Sequence, residues 1–499
     1  MDFDLILSGD LPASTVRTAL VIPVTDVAGP VSSVLTGEEA AAIVRLQESG
    51  VFKGKAEEVY ALPSSTDSYA VVLLAGIGKP GTCTAENLRR AGGKAVEFLR
   101  RDRIERLILE CAGACDWPAN AFVEGVCLGQ YRFDKFKSIP SDAFSGSVAS
   151  VGVLCTDQAQ GAALKAECRY AATVCENANW ARDLANRPSN DLTPAQLAYE
   201  AKSIADHYGC AYDFLDEGKM SELGMNALLG VSRGSSQPSK LILLSYHCGP
   251  ELPTLALVGK GITFDTGGVS IKPAEGMQEM KYDMCGAAAV LGAMRTVVQT
   301  KPRVNVVCVA PAVENVIGSR AQRPGDVVRA YNGKTIEVNN TDAEGRLILA
   351  DALTYTVDTY RPDVIVDLAT LTGACVVALG HHAAGVMANN DKVFSTLQGA
   401  ADATGERIWR FPLWDDYGKL IEGTHADLSN IGPPKEAGAI MGGCFLKEFV
   451  KDTPWAHIDI AGTAWGVKNV PYLDPKHATG YGVRLLSEWI RRETAAPKK

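Results

Sequence analysis

None of the thirteen cysteines is spaced as C-x-x-C, and their number is odd. A disulfide framework and a thiolate zinc site are therefore both without support, and the usage fits a reducing compartment. Histidine is scarce too: the seven residues include no H-E-x-x-H and no close pair except His381-His382, so imidazole ligation of a metal has no pattern to rest on. Basic charge is not in excess, since 49 Lys and Arg stand against 58 Asp and Glu for a net −9, which disfavours a phosphate backbone as main partner. The opening M-D-F-D-L-I-L-S carries two acids where a secretory leader needs a basic region, so a cytoplasmic location is expected. The 23 residues from Leu368 to Asn390 contain no Asp, Glu, Lys or Arg. They are long enough to span a bilayer, but rich in Ala, Gly and Thr, and the strand-like V-I-V-D-L-A-T-L runs into them, which argues for a buried parallel strand and a tight loop instead.

What is present is ordinary globular composition, 46% hydrophobic and 21% charged over 499 residues, enough for two or three domains. Strand-like T-A-L-V-I-P-V, Y-A-V-V-L-L-A-G and R-L-I-L-E alternate with a helical T-A-E-N-L-R-R-A-G-G-K-A-V-E-F-L, the grammar of a βαβ unit with a parallel sheet. A second alternation follows: L-I-L-L-S-Y, T-L-A-L-V-G, the small-residue helix M-C-G-A-A-A-V-L-G-A-M, V-N-V-V-C-V-A, and a hairpin at Asn332-Gly333. Between them Thr193 and Pro194 predict an N-capped helix, with Gln196 closing a capping box and Gly209 the stop. The fold class is α/β in two domains. Residues 1–160 form an N-terminal βαβ-type domain, 161–186 a linker helix, and 187–499 a larger catalytic domain with a mixed central sheet flanked by helices.

Two motifs carry less than they suggest. Gly76, Gly78 and Gly81 spell G-x-G-x-x-G between a strand and a helix, but Pro80 removes an amide donor and the next acid at a strand end, Glu110, is too distant for a dinucleotide ribose. G-V-S-R-G around Ser232 matches a nucleophile elbow with helix and strand in the wrong order.

Two acidic clusters carry more. The strand T-L-A-L-V ends at Gly259-Lys260-Gly261, and Asp265, Lys272 and Asp283 follow at the strand end where ligands bind in open parallel sheets. N-N-T-D-A-E-G-R-L spaces Asp342, Glu344 and Arg346 by two, so an extended backbone would point all three one way. If Asp265, Asp283, Asp342 and Glu344 meet, each pair about 4 Å apart repels by about 4 kcal/mol at an effective dielectric of 20. Two divalent cations would neutralise the set, leaving Lys272 and Arg346 for an oxyanion and a bound anion. All-oxygen ligands favour Mn²⁺, Mg²⁺ or Zn²⁺.

The segments V-G-K-G-I-T-F-D-T-G-G, K-Y-D-M, N-T-D-A-E-G-R-L, D-L-A-T-L-T-G-A and A-H-I-D-I-A-G-T-A-W strongly resemble the leucyl aminopeptidase family, cytosolic two-metal exopeptidases. The likeness covers residues 180 to 490; the first 155 resemble the family in layout only. It implies hydrolysis of N-terminal, Leu-like residues from peptides by a homohexamer. It also implies Lys260, Asp265, Asp283, Asp342 and Glu344 as ligands of two Mn or Zn ions, with Asp265 and Glu344 serving both. By the same resemblance Lys272 polarises the scissile carbonyl, and Arg346 holds a bicarbonate acting as general base. The Leu371 amide is the implied oxyanion donor, and Met280, Thr370 and Gly373 line the side-chain pocket. Two departures stand out: Thr266 in place of a usual Ser, and M-G-G-C-F-L after A-G-A-I where relatives carry T-A-A-A or similar. The alternatives are a dinucleotide-dependent enzyme using the glycine loop and a non-catalytic binding protein on a peptidase fold.

Overall fold

The computed structural model describes residues 1–499 except 8–10, 12, 28–31, 33, 65, 80, 112–116, 139–145 and 496–499. Two compact units divide the chain: 1–176 with 469–474, and 177–468 with 475–499. The helix Gln158–Asn186 contributes to both, so the division falls inside it.

In the first unit six strands, β1 (Asp2–Leu7), β2 (Thr18–Thr25), β3 (Val59–Pro63), β4 (Val71–Gly78), β5 (Arg106–Glu110) and β6 (Ser150–Cys155), lie in the order β1-β6-β5-β2-β4-β3. All pairs are parallel except β3 with β4. β2 and β4 are buried almost throughout, which is why they read as continuous apolar runs instead of alternating ones. The glycines of the G-x-G-x-x-G run serve this packing. Gly76 and Gly78 belong to the end of β4, where their amides donate to Glu58 and Gly54 carbonyls at 2.8 and 2.9 Å, and a Cβ on Gly76 would lie 2.1 Å from the Lys55 carbonyl oxygen. Amides spent on the neighbouring loop are not free to cradle a pyrophosphate; Pro80 lies outside the described residues.

In the second unit the helix Pro194–Tyr208 starts and stops where Thr193, Pro194 and Gly209 predict, with Thr193 Oγ1 accepting from the Gln196 amide and Gly209 left-handed. The capping box is only half formed, because the Gln196 side chain donates to Glu200 instead of returning to Thr193. The strands are β7 (Ala211–Leu215), β8 (Lys240–Tyr246), β9 (Thr254–Gly259), β10 (Gly261–Asp265), β11 (Asn305–Asn315), β12 (Asp326–Arg329), β13 (Thr335–Val338), β14 (Val364–Ala369), β15 (Ala384–Ala388), β16 (Ile408–Arg410), β17 (Leu428–Ser429) and β18 (Trp455–Asp459). Nine form one mixed sheet, β16-β15-β18-β14-β9-β11-β8-β7 with β10 beside β11, and β12-β13-β17 form a small separate sheet holding the Asn332-Gly333 hairpin. Helices Cys285–Thr300 and Gly345–Tyr360 contact this sheet, and the latter supplies Leu347, Ile348, Leu349 and Leu353 to the main core. The uncharged stretch 368–390 is the end of β14, a short helix Gly373–Leu379 and β15, and no helix among the described residues is long and apolar enough to cross a membrane. Ser232 ends the helix Asn226–Ser232 and its hydroxyl donates to the Leu229 carbonyl, so no elbow exists there.

Candidate metal centre

The parallel neighbours β9 and β14 end together and β11 runs on beside β10; the acidic residues stand at and after the end of β10 and in the segment between β13 and the helix Gly345–Tyr360. Lys260 sits between β9 and β10, its amide bonded to the Leu368 carbonyl and its own carbonyl accepting from Ala287 at the start of the helix Cys285–Thr300. Asp265 ends β10, and Gly267 and Gly268, with φ of 85° and 64°, turn the chain so that Lys272 comes back over it. Such left-handed pairs are costly for any residue with a Cβ. Asp283 follows the 3₁₀ turn Met277–Tyr282, and Asp342 and Glu344 precede the helix Gly345–Tyr360.

These residues converge. Acceptor oxygens of Asp265, Asp342 and Glu344 lie within 4.8 Å of one another. Lys260 Nζ is 2.8 Å from Asp283 Oδ1 and 2.9 Å from Glu344 Oε1, and donates to the Thr370 carbonyl at 2.9 Å. Lys272 Nζ bridges Asp265 Oδ2 at 2.8 Å and Asp342 Oδ1 at 2.5 Å. Lys260, Asp265, Asp283 and Glu344 are all buried.

Charge is not balanced. Four carboxylates face two ammonium groups, and Asp283 Oδ2 is buried with no hydrogen-bond partner among the described residues. Burial, reinforced by Glu344, pushes the Asp265 carboxyl up to about 6 even with both lysines beside it. Burial also drives Asp283 well above the carboxylate range, against the pull of Lys260. Glu344 is held below its ordinary value because Lys260 and Lys272 outweigh its burial. Both lysines are raised, since Asp283, Glu344 and Asp265 around Lys260, and Asp265, Glu344 and Asp342 around Lys272, overcome desolvation. A buried acidic set this short of positive charge, with an orphaned carboxylate oxygen and oxygen donors plus one amine, fits divalent cations.

Arg346 departs from the extended picture of its motif. Glu344 already has helical backbone angles and Arg346 lies in the first turn of the helix, so Asp342 and Glu344 meet through a turn while Arg346 points elsewhere. It is buried, donates to the Asn430 carbonyl at 2.8 Å, and leaves its Nε without a partner among the described residues; burial lowers its guanidinium to about 10. A pocket of about 820 Å³ opens beside it, lined by Ala374, Val377, Phe411, Ile431 and Met441.

Thr370 Oγ1 donates to Asp283 Oδ1 at 2.6 Å. The Leu371 amide is engaged: it donates to Asp459 Oδ1 at 3.2 Å, and Asp459 also accepts from Thr372 Oγ1 and the Ala461 amide. Met280 is part-exposed on the 3₁₀ turn and Gly373 is exposed at the start of its helix. The Thr266 hydroxyl closes the turn, donating to the Asn315 carbonyl and accepting from the Gly268 amide. In M-G-G-C-F-L, a Cβ on Gly442 would sit 2.9 Å from Leu371 Cδ2 and one on Gly443 2.7 Å from Met387, so the glycines let the helix Gly438–Lys447 close on Leu371.

Three buried residues were not singled out by spacing: Asn315, Thr341 and Asp459. The placement of Asn315 at the end of the apolar run V-V-C-V-A-P-A-V-E-N, at a carboxyl end of the same sheet, was the available signal.

The profile of the cytosol aminopeptidase family, catalytic domain, matches residues 179–487, and that of its N-terminal domain matches 23–140, which carries the likeness of the first unit beyond layout. A probable cytosol aminopeptidase from Geobacter sp. (strain M21) is 41% identical over 492 residues, 98% of this chain and 99% of the relative. One from Solibacter usitatus (strain Ellin6076) is 46% identical over 444 residues, 88% and 90% of the two. The solved structure of the bottromycin maturation enzyme BotP in complex with Mn superposes with a TM-score of 0.83 at 31% identity, covering 96% of this chain and 100% of that one. With family profiles matching both units and relatives alike from end to end, the chain belongs to the cytosol aminopeptidase family, the leucyl aminopeptidases, and is a metal-dependent aminopeptidase.

Proposed function

We propose that this chain removes Leu-like, apolar N-terminal residues from peptides, with Lys260, Asp265, Asp283, Asp342 and Glu344 holding two divalent ions. The observation that carries this is the largely buried cluster in which, among the described residues, four carboxylates face two lysines. When bound, such ions supply charge neutralisation and a bound water acidic enough to be a nucleophile near neutral pH. Mn²⁺ is supported by the BotP structure recorded with Mn, and Zn²⁺ suits the same donors.

The chain's own groups then divide the work. Lys272, freed from Asp265 and Asp342 once their charge is met otherwise, presents an ammonium to the scissile carbonyl and to the oxyanion that develops there. Arg346, buried and short of partners, favours an anion such as bicarbonate, and its place in the first turn of a helix adds the dipole's attraction. A base held there would take the proton of the attacking water. The Leu371 amide, bonded to Asp459 at 3.2 Å, would have to turn from that carboxylate to serve the oxyanion. On this reading Met280, Thr370 and Gly373 would bound the side-chain pocket; the separate cavity beside Arg346, which none of the three lines, has apolar walls that suit apolar peptide.

We further propose a homohexamer in the cytoplasm; light scattering giving a stable monomer at micromolar concentration would refute the assembly. The function is tested by stripping metal with a chelator, measuring hydrolysis of leucine amide, and restoring it with Mn²⁺ or Zn²⁺ added singly. Activity that survives full metal removal refutes the mechanism.

A further inference from the structure

We propose that Asn315 and Thr341 form an uncharged clamp that positions the metal cluster by locking its two ligand loops together, an inference resting on the metal reading of that cluster. One loop, 265–272, carries Asp265 and Lys272; the other, 339–344, carries Asp342 and Glu344. Asn315 and Thr341 are 1% and 0% exposed.

The Asn315 carboxamide donates from Nδ2 to both sides, to Asp265 Oδ1 at 2.7 Å and to the Thr341 carbonyl at 3.0 Å. The Asn315 main-chain carbonyl accepts from the Thr266 amide at 2.8 Å and hydroxyl at 3.0 Å. Thr341 answers in kind: Oγ1 donates to the Gly267 carbonyl at 2.7 Å and accepts from the Ser270 amide at 2.8 Å, while the Thr341 amide donates to Ser270 Oγ at 3.1 Å. Each bond joins one ligand loop to the other or to the end of β11, which is fixed in the sheet.

The consequence for Asp265 is chemical as well as spatial. Its Oδ1 takes two donors, Asn315 Nδ2 and the Gly267 amide at 2.8 Å, which fixes the rotation of the carboxylate and turns Oδ2 toward Lys272 and the cluster. With Oδ1 held by the clamp, Oδ2 is the oxygen Asp265 would offer to a cation. An aspartate free to rotate would pay the ordering entropy when metal binds, and partners of this kind are worth about 10- to 100-fold in metal affinity.

The test compares wild type with Thr341→Val, which removes the hydroxyl at nearly constant shape, Thr341→Ser, which keeps it, and Asn315→Leu. Mn²⁺ dissociation constants are measured by chelator competition, kcat and KM on leucine amide, and folding by far-UV circular dichroism. Thr341→Val is expected to weaken Mn²⁺ binding about 10- to 100-fold and to lower kcat with KM little changed, and Thr341→Ser to recover most of the lost affinity. Asn315→Leu should weaken binding at least as far; if it does not fold, the Thr341 pair decides alone. A folded Thr341→Val with wild-type Mn²⁺ affinity overturns the clamp. A wild-type chain that binds no Mn²⁺ or Zn²⁺ overturns the metal reading itself, a failure told apart because it precedes any substitution.

Discussion

Replacing Gly345 with Ala should disable the metal centre while leaving the fold intact. Gly345 opens a helix with ordinary helical angles, so no backbone conformation demands glycine there. Space does: a Cβ would lie 2.6 Å from Lys260 Cε, 2.7 Å from Nζ and 2.8 Å from Cδ. To restore ordinary van der Waals contact the end of Lys260 must retreat by about 0.7 Å. Its three contacts, 2.8 Å to Asp283, 2.9 Å to Glu344 and 2.9 Å to the Thr370 carbonyl, would then stretch to the edge of hydrogen bonding or beyond. Full loss of a buried ion-pair partner costs about 3–5 kcal/mol, the upper bound here, and alanine's better helix propensity returns about 0.5–1 kcal/mol. The stability loss should therefore stay below about 2–4.5 kcal/mol. Catalysis is less forgiving, since a displacement of about 1 Å at a reacting centre costs about 100-fold. Metal content by plasma mass spectrometry, kcat on leucine amide and far-UV circular dichroism read the result, with Gly37→Ala as control because none of the described residues lies within 4 Å of a Cβ there. A folded Gly345→Ala that keeps both metals and wild-type kcat would show that Lys260 need not sit where it does, and the ligand assignment would fall with it.

Three further outcomes are expected. Lys260→Met should leave one bound metal of two, whereas retention of both would make Lys260 a counter-ion only; because Lys260 is held as an ammonium by its carboxylates, metal uptake by wild type should also release a proton. Arg346→Ala should lower kcat more than it changes KM, keep metal content, and abolish stimulation by added bicarbonate; loss of metal would reassign Arg346 as structural. Asp351, fully buried and accepting from the Leu228 and Tyr331 amides, is pushed up by burial from 3.8 to about 7. The folded state thus binds that proton more tightly than the unfolded chain, so its contribution to stability is fullest below about pH 4 and is lost as pH rises toward 7. Urea unfolding across that range should show a shallower pH slope for Asp351→Asn, and equal slopes would refute the assignment.

Local signals in the sequence were enough to define much of this protein. Continuous apolar runs became β2, β4, β9 and β14, because strands covered on both faces need no polar alternation. Thr193, Pro194 and Gly209 bounded their helix because caps and left-handed stops act within one turn. The acidic residues at the end of β10 and before the helix Gly345–Tyr360 were legible because their charge has no local explanation. What distance along the chain hides, only the tertiary structure decided. The apolar pattern L-I-L-A-D-A-L-T-Y after Gly345 reads as a helix, but the two-residue spacing of Asp342, Glu344 and Arg346 could not reveal that this helix turns the arginine toward Asn430. No pattern could tell that Gly345 is small to make room for a lysine 85 positions earlier, that Asn315 holds Asp265 from 50 residues away, or that Asp459 occupies the Leu371 amide. These are contacts made through space, where sheet register and loop closure bring distant residues within a few ångströms, and a sequence fixes them only by way of its fold.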